Sequence, residues 1–166
     1  MISEITLPTF KELSQTSRVW VFQSSKELTN EWVALISKEL NNFLQDWAAH
    51  GKDLFASFEV RFNRFIIIAV DENIAGATGC SIDKMMKEIQ SIDLKFNLNL
   101  LDRMKVAYRD GEQIIEVSVN EFSTLLKEGR ATAETMVFNN TIQSLEELNT
   151  NWETQVKNCW VSNLLP

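Results

Sequence analysis

The spacing of hydrophobic residues changes several times along the chain, and each change marks a predicted element. "RVWVFQ", from Arg18 to Gln23, is apolar and β-prone on both faces, the pattern of a central strand covered on two sides. Trp32, Ile36, Leu40, Phe43 and Trp47 then recur at helical steps and form one stripe. Thr29 is placed to cap this helix, and Gly51 to end it in a left-handed turn. From Leu54 the period falls to two: Phe58, Val60 and Phe62 alternate with Ser57, Glu59 and Arg61. One wet face of this kind predicts an edge strand, with Asn63 and Arg64 turning the chain. Phe65 to Val70 is apolar at every position and predicts a second central strand. A polar loop follows. Ser81 is then placed to cap a helix bearing Ile82, Met85, Ile89, Ile92 and Phe96 on one stripe, with Asp83 in its first turn favouring the positive helix end.

The second half is more broken. Met104 to Tyr108 and Gln113 to Val119 read as a hairpin turned by Asp110 and Gly111. Asn120 to Lys127 reads as a short helix stopped by Gly129, with Ser118 and Glu121 in capping-box spacing. Thr132 is placed to cap a last long helix carrying Phe138, Ile142, Leu145 and Leu148. Before the first strand, residues 1–17 read as loop with a helical turn near Phe10 to Leu13. The tail from Trp152 to Pro166, with two of the five tryptophans, is expected to dock on the body.

This element order predicts an α+β protein with a ferredoxin-like β-α-β-β-α-β core and an added strand. Because its two central strands are apolar on both faces, one helix layer cannot cover them. The second face is assigned to the C-terminal helices or to a partner subunit.

Length and composition agree with one domain over residues 1–166: 45% of residues are hydrophobic and 23% charged. The run from Phe65 to Val70 is too short to span a bilayer, and no basic segment followed by an apolar core opens the chain, so a cytoplasmic location is expected. Cys80 and Cys159 are expected to be free thiols. A net charge of −7 opposes a non-specific hold on nucleic acid or an anionic membrane surface. One histidine and two distant cysteines cannot assemble an ordinary zinc site, and "GATGCSIDK" lacks the spacing of a nucleotide-phosphate loop. No cofactor is expected.

Candidate chemistry concentrates in "DENIAGATGCSID", Asp71 to Asp83. In a ferredoxin-like sheet, the end of the first helix and the start of the second share one rim, which brings His50 toward Cys80. A thiol ahead of a helix N-terminus sees a positive field, and an imidazole can activate it further. Cys80 as nucleophile, His50 as base and the amides around Cys80 and Ser81 as oxyanion donors make one candidate set. The other is a ligand or anion site built from Asp71, Gly76, Thr78, Gly79, Ser81 and Asp83. Asp71, Glu72 and Asp83 form a weaker cation candidate. Beside these stands a plain reading: two glycines in a strand-to-helix connector, and a cysteine serving as a small side chain.

At His50-Gly51, Val70 to Glu72, Gly79 to Asp83, Asp102-Arg103 and Val137 to Asn140, the chain resembles a small bacterial family whose members often carry the label "ABC transporter ATPase". That label does not suit these residues, because neither a Walker lysine loop nor an LSGGQ-like signature is present. The resemblance implies a cytoplasmic protein and brings no catalytic residues with it. The expectation is a binding or regulatory module taking a small ligand or a protein partner near Asp71 to Asp83. The alternatives are a cysteine-nucleophile enzyme and a homo-oligomeric interaction protein.

Overall fold

The computed structural model describes residues 6–49 and 51–166. They form an α+β structure whose contacts cluster in two units. One comprises the chain up to Leu101 with Gln143–Glu146, and the other Asp102–Ile142 with Glu147–Pro166.

In the first unit, β1 (Arg18–Gln23) leads into α1 (Asn30–Asp46). A minimal hairpin follows, β2 (Ala48–Ala49) with β3 (Lys52–Asp53), and then β4 (Ala56–Arg61), β5 (Phe65–Val70) and α2 (Gly79–Phe96). The sheet order is β1-β5-β4, both pairings antiparallel, with Val70 opposite Arg18 on one side and Ala56 on the other. Every β5 side chain is fully buried, as its unbroken apolar run requires. Ile66, Ile68 and Val70 enter a core completed by Ile36, Leu40 and Leu44 of α1 and Met85, Ile89 and Ile92 of α2.

α1 begins where expected: Thr29 Oγ1 accepts the Trp32 amide at 3.1 Å, satisfying one of the helix's orphan N–H groups. It ends earlier than expected, at Asp46. Trp47 turns extended, buries its ring and donates its indole N–H to the Ser81 carbonyl at 2.8 Å. Gly51, at φ +76°, serves the β2–β3 hairpin instead of the helix end. β4 also stops early. Phe62 and Asn63, at φ 55° and 52°, open a three-residue loop that keeps Arg61 opposite Phe65. Phe62 is consequently 48% exposed, off the inward face its spacing suggested.

Among the described residues, the fourth strand of a ferredoxin-like sheet does not form beside β1. β6 (Lys105–Asp110) already has partners on both edges: β7 (Gln113–Ser118), joined to it by a two-residue turn, and β8 (Met136–Phe138). The outer flank of β1 is met by a distant short segment. Val19 donates its amide to the Gln143 carbonyl at 3.1 Å, Leu145 donates to Ser17 at 3.0 Å, and Arg18 faces Ser144.

The second unit carries the antiparallel order β7-β6-β8-β9, where β9 is Glu153–Gln155. α3 (Val119–Lys127) is capped by Ser118, whose Oγ accepts the Glu121 amide at 3.1 Å, and Gly129 follows it at φ +73°. Phe122 and Leu126 of α3 pack with Val106, Val137, Val156 and Val161, so the tail is built into this core. The long helix expected from Thr132 is absent. β-prone Met136–Phe138 pairs as a strand, and the Asn139 side chain then accepts from the amide and hydroxyl of Thr141 at 3.3 and 2.5 Å, a turn that helix geometry would not allow. Only α4 (Leu145–Thr150) is helical there.

Candidate functional site

The loop after β5 consumes its own polar groups. Asp71 is buried, and its amide donates to the Phe55 carbonyl at 2.8 Å, prolonging the β4–β5 ladder by one pair. Its carboxylate accepts the amides of Ser14 and Asn73, each at 3.1 Å. The Asn73 side-chain amide donates to Thr16 Oγ1 at 3.3 Å, and the Ser14 and Thr16 hydroxyls lie 2.8 Å apart. One buried acid thus ties the loop to the segment ahead of β1, meeting the rule that buried polar groups find partners. Glu72 accepts the Ala77 amide at 3.2 Å and lies 3.5 Å from where a Gly76 Cβ would stand.

The cap, Thr78, lies three residues before the expected one, Ser81. Thr78 Oγ1 accepts the Ser81 amide at 3.2 Å, and Ser81 Oγ accepts the Thr78 amide at 2.7 Å, a reciprocal capping box in which serine replaces the usual acid. Ser81 is buried by this arrangement. Cys80 becomes the second helical residue and is exposed. Asp83 lies beyond the first turn, which contains no acid. Neither Gly76 nor Gly79 has a positive φ, and a Cβ on Gly79 would meet nothing within 4 Å, so the backbone does not demand glycine there.

Of the candidate residues, the structure joins Thr78 to Ser81 and anchors Asp71 to Ser14 and Asn73. Among the described residues, no side-chain hydrogen bond or ion pair joins Cys80 or Asp83 to the other candidates. His50 lies outside the described residues. Among the described residues, no three His, Cys, Asp or Glu side chains are grouped to hold a metal ion, and no helix is long and apolar enough to cross a membrane.

A different feature of the first unit has the form of a binding site. An open groove of about 390 Å³ runs between residues 6–10 and β4, walled by Thr6, Pro8 and Phe10 on one side and by Ser57, Glu59 and Asn41 of α1 on the other. Beside it Arg61 pairs with Glu59 at 2.7 Å and lies over the Phe10 ring at 5.9 Å. The bond from Asp71 to Phe55 sets the phase of β4. In an antiparallel ladder, alternate residues exchange both bonds with their partner, so Ser57, Glu59 and Arg61 turn their backbone groups to β5. Ala56, Phe58 and Val60 turn theirs outward, and among the described residues β4 has no second strand. The period-two pattern at Phe58 and Val60 marks this strand as an edge; nothing in the sequence announces the groove, whose other wall lies some fifty residues earlier in the chain. A second hollow, about 360 Å³, lies in the other unit between Tyr108, Val117 and Leu125, rimmed by Glu121, Glu128 and Arg130.

No protein-family model, curated protein or solved structure matches the chain.

Proposed function

We propose that the chain is a non-catalytic binding or regulatory module whose site is the groove along β4, with the Asp71–Asp83 loop as the strut that sets its wall. The Asp71 carboxylate supports this reading: it fixes Ser14, four residues beyond the groove-lining Phe10, to the end of β5. Of the loop residues, Thr78 and Ser81 then act by capping α2, not by touching ligand. A cytoplasmic setting and kinship with the small bacterial family resembled at Gly79 to Asp83 belong to the same proposal.

The test is a thermal-shift screen of small molecules, since a ligand that binds only the native state raises its melting temperature. Hits are expected to persist in Cys80→Ala and to vanish in Asn41→Trp, which fills the groove. The exposed Cys80 thiol in the first turn of α2 favours the second reading, a cysteine-nucleophile enzyme. That reading predicts the reverse: hits lost in Cys80→Ala and retained in Asn41→Trp.

A further inference from the structure

We infer that the occupant of the groove is an extended segment of another polypeptide, alternating apolar with basic side chains, which adds to β4 as a fourth strand. The inference rests on the groove being the binding site and names what fills it.

The backbone supplies the first argument. Phe58 and Val60 each present an N–H and a C=O away from β5, donors and acceptors two residues apart, whereas Ala56 before them is 2% exposed and closed off. An extended peptide repeats its own donors and acceptors at the same spacing, and a flexible small molecule does not. Side chains supply the second. Phe58 and Val60 are only half-buried, at the margin of the core formed with α1 and α2. Every other residue of an added strand would lie beside them and complete that burial with apolar groups. The intervening residues would lie on the opposite face, beside Ser57 and Glu59. Glu59 on this face is paired with Arg61 at 2.7 Å, so the preference for basic side chains comes from the chain's net charge of −7, whose field favours the approach of a cationic segment.

Left bare, such an edge invites pairing with other chains, and proteins blunt edges with charge, twist or a covering segment. Residues 6–10 partly serve that purpose here, yet they stand off β4 by the width of the groove.

The experiment is amide hydrogen exchange on the full chain, with and without a seven-residue peptide alternating valine and lysine, acetylated and amidated at its ends. In the free protein the amides of Ser57, Glu59 and Arg61 are expected to be protected and those of Phe58 and Val60 to exchange rapidly. The peptide should slow the second set selectively. N-methylation of the peptide at the residues facing β4 should weaken binding by about fivefold or more for each lost bond, and at the intervening residues much less. Val60→Pro removes an outward N–H and no bond to β5; it should keep the native circular dichroism and abolish the protection.

Absence of slowing at Phe58 and Val60 with millimolar peptide would overturn the inference. Equal binding of a valine-glutamate peptide would overturn its charge requirement. If groove-dependent small-molecule hits are found but the peptide protects nothing, strand addition fails while the binding-site reading stands. Without hits lost in Asn41→Trp, that reading fails first.

Discussion

A thiol reacts only where reagent can reach it and its thiolate can form, and the two cysteines differ in exposure. Cys80 is exposed at the second position of α2. Cys159 is half-buried, and burial pushes its thiol up, an effect partly offset by a hydrogen bond from the Val161 backbone. A raised value leaves less thiolate at neutral pH, so Cys159 should react slowly. A thiol-specific chromogenic reagent should show two phases on the native protein, with the fast one missing in Cys80→Ser and both merging in guanidinium; a single native phase would contradict the assignment. Single residues also show what the sequence discloses. Thr29, Ser118 and Gly129 cap or end helices as their spacing indicates, because capping is a contact between neighbours a few positions apart. Thr78 was not legible as a cap, since the apolar stripe of α2 starts only at Ile82 and leaves its first turn unmarked. Nor was the turn at Phe62, where a phenylalanine takes a left-handed conformation that costs about 1–2 kcal/mol.

Between elements, α1 and α2 meet through an ionic cluster as well as an apolar stripe. Lys95 donates to Glu39 at 2.6 Å, and Glu88 lies close to both. Burial, reinforced by the Glu39 carboxylate, pushes the Glu88 carboxyl above its ordinary value of 4.5, while Lys95 draws it back. A carboxyl whose value is raised on folding binds its proton better in the native state. Stability therefore falls as pH climbs from 4.5 through the raised value, and ionised Glu88 remains a cost at neutral pH. Glu88→Gln should melt slightly higher than wild type at pH 7, by less than about 1 kcal/mol because the site is partly solvated. The gap should close below pH 4.5; a gap that widens in acid would refute the assignment. The elements themselves were largely legible from period and run length, β1 and β5 to the residue. Their partners were not. Whether β6 lies beside β1 or between β7 and β8 depends on contacts far apart in the chain, and a strand's own pattern does not state which neighbour it takes. The Asp71–Ser14 bond and the groove stayed hidden for the same reason.

Across the whole molecule, the chain leaves the first unit after Leu101, builds most of the second and returns for Gln143–Glu146. Leu145 is 1% exposed, and its amide donates to the Ser17 carbonyl, one of the bonds that hold this segment along β1 and the residues just ahead of it. Leu145→Ala should cost about 2–5 kcal/mol by denaturant titration. It should speed amide exchange at Val19 more than at Ile67, which is held in the sheet interior by β4; uniform acceleration would mean that the returning segment is not a separate brace. The return also bears on synthesis. A ribosome delivers β1, β4 and β5 long before residue 143 emerges, so a nascent chain paused in between has that flank of β1 open to whatever it meets. No cut that separates the halves at Leu101 leaves the first with all its native hydrogen bonds.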